Sequence, residues 1–301
     1  FSAARGGAGH VIGCKCPRPV RRPSISTGPG VGRSPLRLAA WTLCLAAAVA
    51  VQGCTTQLPR MPILPARHTL VREQLVLYSD FPLPPHHRLL EELTAERGDL
   101  LSKLDLPTSE EPIHVYLFDN EERFASFLRQ HYPQFPTRRA FFVESDTRLA
   151  VYAHWGDRVA EDLRHEVAHG YLHSVVPNIP LWLDEGLAEF AEVPRGAAGL
   201  NRPHVELLLR QLWQQGWRPH LERLEQIRSA GEMTQADYAE SWAWVHWLVE
   251  TGPARRQILV DYLKDLRRQG TAAPLSARLR SHYAQPEHLL TGHIHSLAPA
   301  L

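Results

Sequence analysis

All four cysteines, Cys14, Cys16, Cys44 and Cys54, fall within the first 54 of 301 residues. The rest of the chain must hold its fold without a disulfide. Any metal it binds must be held by histidine and carboxylate side chains, because no thiolate is available. Stability must therefore come from buried apolar surface. The composition permits this: 44% of residues are hydrophobic and 22% are charged, which suits a packed globular body and not a disordered chain. The length allows one large domain or two small ones.

The formal net charge of +1 hides an asymmetry. Residues 1–54 contain seven Lys and Arg and no Asp or Glu, so the remainder carries 26 basic side chains against 32 acidic ones. A mildly acidic body lacks the basic face that nucleic-acid binding requires, and no nucleic-acid partner is expected. The positive charge sits where a targeting signal would place it. Arg33 and Arg37 precede an apolar run from Leu38 to Val51, too short for a comfortable bilayer span but suited to a signal h-region. The run ends Val51-Gln52-Gly53-Cys54, which resembles the lipobox of bacterial lipoproteins, with Gln52 standing where a small residue is more usual. The resemblance implies cleavage behind Gly53 and lipidation of Cys54. It also implies a body held by its lipid at the bacterial cell envelope. Thr55 lacks the acidic character of an inner-membrane retention signal, which points to the periplasmic face of the outer membrane. Residues 1–32 read as a disordered leader or an over-extended gene start, 33–53 as the signal peptide, and 54–68 as a Pro-containing tether. Residues 69–301 read as the functional domain.

No internal repeat is visible. The apolar run Gln74–Tyr78 is rich in strand formers, and Pro84–Lys103 has helical spacing. Ile113–Phe118 alternates as a strand, with Val115 and Leu117 on one face. Asn120 can cap a helix reaching His131, and Ala140–Glu144 with Arg148–Ala153 reads as a hairpin. After Trp155-Gly156 the pattern turns helical, with helices predicted over Asp157–Val175, Pro180–Ala191, Asn201–Gln214, Thr234–Glu250 and Ala254–Arg268. Strands first and helices second predict an α+β fold, a small mixed or antiparallel sheet followed by a helical part.

The first of those helices carries His165-Glu166-Val167-Ala168-His169. Residues i and i+4 are neighbours on one helix face, so both imidazoles can converge on one zinc ion at about 2.0–2.1 Å. Glu166 is turned by about 100°. It is badly placed to join the chelate but can reach a metal-bound water as a general base. Val159, Leu163, Val167 and Tyr171 form an apolar stripe for the core, and the histidines face away from it, toward a cleft. Asp157 can cap the helix start. A catalytic zinc needs three protein ligands and an open position. Pro177-Asn178-Ile179-Pro180 is a turn, with Pro180 suited to open a second helix. There Leu183, Leu187 and Phe190 point inward, while Glu185 and Glu189 share roughly the opposite face and can return a carboxylate to the first helix.

His165-Glu-Val-Ala-His169 followed by Leu181-Trp-Leu-Asp-Glu-Gly-Leu-Ala188 resembles the gluzincin zinc metallopeptidases, with H-E-x-x-H and then W-L-x-E-G-x-A on the next helix. Within these it looks closest to the bacterial peptidase-MA-like proteins. The strong match covers about residues 158–192, with a weaker similarity over Tyr238–Leu248. The resemblance implies Glu185 as the third zinc ligand and a peptide or protein as substrate. It also implies that the hairpin Ala140–Ala153 offers an edge strand to an extended peptide. His173 lies about 12 Å along the helix from His165, too far to join the same ion. Leu172 replaces the glycine that a metzincin needs, and Asp184 points about 100° from Glu185. Glu189 is expected to accept a hydrogen bond from a ligand histidine. Tyr238, in the first turn after a capping box Thr234-Gln-Ala-Asp237, is the candidate donor to a developing oxyanion, with His246 behind it. Tyr238 also fits a core position beside Trp242 and Val245. Two other functions remain open: a zinc hydrolase of a non-peptide ester or amide, and a metal-binding envelope lipoprotein without catalysis.

Replacing Cys54 with Ser is expected to release the protein from the membrane fraction and to remove the mass of the lipid. Unchanged fractionation and mass would refute the lipobox reading.

Overall fold

The structure, a computed structural model, describes residues 64–300 except 136. The leader, the signal peptide, Cys54 and the tether as far as residue 63 lie outside the described residues. The first strand, β1 (His68–Arg72), already takes in His68, which the sequence places at the end of the tether. It pairs antiparallel with β2 (Leu75–Ser79) through the turn residues Glu73 and Gln74. Glu73 adopts a left-handed φ of 49° there. This hairpin carries no Asn-Gly or Asp-Gly signal, which is why the sequence shows only its second strand.

Helix α1 (Arg88–Leu104) connects β2 to β3 (Ile113–Phe118), and α2 (Glu121–His131) connects β3 to the hairpin β4 (Ala140–Ser145) and β5 (Arg148–His154). The sheet order is β1-β2-β3-β5-β4. Strands β2, β3 and β5 run parallel, and β1 and β4 lie antiparallel at the two edges. Period-2 alternation sends residues to two separate cores. Ile113, Val115 and Leu117 meet the apolar residues of α1 and α3, while Tyr116 and Phe118 meet Phe124, Phe127 and Leu128 of α2. On that second face Tyr78, Tyr116, Tyr152 and Phe141 stack across four strands at ring separations of 5.0, 5.1 and 5.0 Å.

The helical region follows: α3 (Val159–His173), α4 (Leu181–Ala191), α5 (Arg202–Gln214), the short α6 (Leu221–Leu224), α7 (Gln235–Glu250), α8 (Pro253–Gln269), α9 (Leu275–His282) and α10 (Pro286–Leu297). The architecture is α+β. Helices α6, α9 and α10 are absent from the sequence reading. Helices α6 and α9 are short, and α10 buries only Pro286, Leu290 and Ile294. The expected caps form at Asn120 and in the reciprocal Thr234–Asp237 box, and Asn201 also caps α5. Two start signals are corrected. Asp157 does not cap α3, whose cap position is Arg158 with no side-chain bond, and Pro180 is the cap of α4 and not its first residue.

Helix α4 has almost no solvent-facing side, because it lies between α3 and α7. Trp182, Leu183, Asp184, Glu185, Gly186, Leu187 and Ala188 are all buried. Gly186 sets the distance to α7. A Cβ there would come within 2.6 Å of the Ser241 carbonyl oxygen and 3.0 Å of Val245. The nearest obstacle is backbone, which cannot rotate away. Gly186→Ala is therefore expected to lower the unfolding free energy by about 1–3 kcal/mol, the usual cost of overpacking, as read from urea denaturation. Unchanged stability would show that α4 and α7 can part freely.

Candidate metal centre

Helix α3 presents its apolar stripe to the core: Val159, Leu163, Val167 and Tyr171 are buried. On another face, one turn apart, stand His165 and His169, with their Nε2 atoms 3.3 Å from one another. Helix α4 brings Glu185 against the pair, its Oε2 3.5 Å from His165 Nε2 and 3.7 Å from His169 Nε2. These three atoms form a near-equilateral triangle. Ligands bound at 2.0–2.1 Å in tetrahedral geometry lie about 3.3–3.4 Å apart, so the spacing suits a zinc-sized ion. The cluster is a buried His/Glu group able to coordinate a divalent metal.

The far nitrogen of each ring meets its own carboxylate. His165 Nδ1 lies 3.2 Å from Glu192 Oε2, and Asn201 holds the other Glu192 oxygen at 2.8 Å. His169 Nδ1 lies 2.9 Å from Asp184 Oδ2, at the distance of an ion pair but without the alignment of a good hydrogen bond. Both arrangements favour a proton on Nδ1 and leave Nε2 with its lone pair for a ligand role. The sequence assigns this task to Glu189. In the structure Glu189 lies beside His165 but accepts its hydrogen bond from His204 Nε2, at 2.8 Å. Glu192 and Asp184 take the role instead.

Electrostatics at the cluster point one way. Burial acts to lower the pKa of His165, but Glu185 and Glu192 more than offset it and hold the ring well above its ordinary value. His169 is raised as well, burial being outweighed by Asp184 and Glu185. The surrounding carboxylates thus favour positive charge at this point, and that preference serves a metal cation as well as a proton.

Glu166 is half-buried and lines an open cavity of about 240 Å³ together with Arg138, Ala140, His165 and Glu192. Burial raises its pKa, while the neighbouring His165 and His169 pull it down and leave a net rise. Strand β4 forms one wall. Ala140 lines the cavity, Phe142 lies 5.9 Å from the ring of His169 and 5.2 Å from that of His173, and Glu144 accepts from His173 Nδ1 at 2.8 Å. Successive inward residues of β4 thus follow successive turns of α3.

Tyr238 is half-buried in the first turn of α7. Burial pushes its hydroxyl well above the ordinary range, and the charges of Glu185, Glu189 and Glu166 act in the same direction against that of Arg138. His246 does not belong there. Its Nδ1 is 2.9 Å from His293 Nε2, its ring packs on Trp242, and burial lowers its pKa to about 4. Trp242, Trp244 and Trp247 are core.

Asp184, Glu192 and Arg138 escape the sequence reading. Arg138 stands in the segment leading into β4, where no periodicity marks it. Asp184 is set aside by its angle on α4, yet α4 lies so close to α3 that adjacent residues reach opposite sides of one ring. No family model matches the chain, and no curated protein matches it.

His165→Ala and Glu185→Ala are each expected to abolish stoichiometric zinc binding, since each removes one of three donors. Metal content after dialysis against zinc checks this. Full retention in either variant would show that the metal is held elsewhere.

Proposed function

We propose that this chain is a zinc-dependent peptide-bond hydrolase of the gluzincin type, anchored by a lipid on Cys54 to the bacterial cell envelope. One observation carries the reading: Glu166 stands on the cleft wall beside His165, His169 and Glu185 and makes no hydrogen bond among the described residues. Its carboxylate is only half-buried and lines the open cavity, so its oxygens are free to meet a water there, as a general base requires.

Two imidazole nitrogens and one carboxylate, facing one another in a largely buried pocket, suit zinc with an open position. Zinc held by His165, His169 and Glu185 would supply Lewis acidity to activate a water and polarise a carbonyl. Glu166 accepts the proton of the attacking water and returns it to the departing amine. The Tyr238 hydroxyl remains protonated and donates to the carbonyl oxygen as charge develops on it. Asp184 and Glu192 keep the two rings oriented.

The choice of a peptide over another amide or ester rests on β4. It ends the sheet order, no strand pairs with its outer side among the described residues, and its first residue lines the cavity. An extended peptide can add to such an edge through main-chain hydrogen bonds.

Glu166→Gln is expected to reduce chelator-sensitive hydrolysis of a peptide library by about 10²–10⁴-fold while leaving fold and zinc content unchanged. Stoichiometric zinc with no hydrolysis by the wild-type chain would favour a binding protein. Full activity in Glu166→Gln would show that another group takes the proton.

A further inference from the structure

Behind His169, on the side away from Glu185, polar side chains from three elements join in one chain. Glu144 on β4 accepts from His173 Nδ1 at 2.8 Å, His173 Nε2 lies 3.3 Å from Asp184 Oδ2, and the same oxygen lies 2.9 Å from His169 Nδ1. The side chain of Asp184 is 0% exposed and that of His173 is 7% exposed. Burying an acid and a base side by side is costly compared with apolar residues of the same shape, so the core gains little stability from them. The expense has another use. Asp184 offers one oxygen to two rings, and without His173 it would stand fully buried against His169 alone, free to turn away.

We infer that His173 and Glu144 are positioning residues for the metal centre. They hold Asp184 against His169 Nδ1 and thereby keep His169 Nε2 directed at His165 and Glu185. Glu144 fixes the His173 ring from the sheet edge, and Phe142 packs against both rings and blocks their rotation. The inference rests on the proposed zinc site. His169, His173 and Asp184 also lie close enough to bind a cation of their own. His169 is then shared with the first site, and Asp184 would leave its place beside His169 Nδ1 to serve as a ligand.

Zinc affinity of the full chain, measured by competition with a chromophoric chelator, tests this together with the melting temperature of the metal-free protein. His173→Phe keeps the ring volume and removes both contacts. It is expected to weaken zinc binding by about 10–100-fold, the usual effect of losing an outer hydrogen-bond partner. Glu144→Ala is expected to weaken it in the same direction by less, and Glu144→Gln, which still offers an oxygen to His173, to restore most of the loss. A fall in melting temperature with zinc affinity within twofold of wild type would reduce both residues to a structural role and overturn the inference. Two zinc ions per wild-type chain, one of them lost in His173→Phe, would overturn it in favour of a second metal site. If His173→Phe does not fold, Glu144→Ala decides, because Glu144 sits at a partly exposed edge. A wild-type chain that binds no zinc defeats the zinc site itself. Tight wild-type binding that both variants retain defeats only the positioning role.

Discussion

One imidazole, that of His169, is gripped from both sides by consecutive residues of α4, with Asp184 at Nδ1 and Glu185 facing Nε2. Adjacent helical residues diverge by about 100°, so they reach opposite edges of a ring only when the ring lies almost against the helix axis. Most of what surrounds the site serves that close approach. Gly186 lets α7 press on α4 from behind, and the buried Trp242, Trp244 and Trp247 fill the layer that supports it. Arg164, next to His165 on α3, donates from Nε to the carbonyl of Glu192 at 2.6 Å and ties the end of α4 to the same helix.

The grip also explains the charge pattern. Five carboxylates, those of Glu166, Asp184, Glu185, Glu189 and Glu192, gather around two histidines with Arg138 at the rim. Such a group favours added positive charge, and the raised pKa values of His165 and His169 express this. Asp184 responds in the opposite sense. Burial alone would raise its pKa, but His169 and His173 hold it well below the carboxylate range. Its carboxylate is thereby favoured in the charged form between the two rings.

Much of this was legible in the sequence because it depends on local period. The i, i+4 spacing of His165 and His169, the alternation of Ile113–Phe118 and the caps at Asn120 and Thr234 are each properties of one element, and each is found where expected. What was hidden depends on two elements at once. The roles of Asp184 and Glu192 follow from how near α4 lies to α3, which no helical wheel contains. The β1–β2 turn depends on Glu73 taking a left-handed conformation that its residue type does not announce.

Strand β4 and helix α3 behave as two rulers laid side by side. Two strand residues advance about 6.6–6.8 Å and four helical residues about 6.0 Å, so Ala140, Phe142 and Glu144 keep pace with His165, His169 and His173 with under 1 Å of drift per step. The strand's reading on that scale is set by the short turn between Ser145 and Arg148. Lengthening or shortening that turn by one residue would slide β4 and reverse its faces, which would bring Phe141 and Val143 to the histidines and carry Glu144 outward. The turn at Asp146 and Thr147 thus acts as the zero mark from which the wall of the candidate metal site is measured.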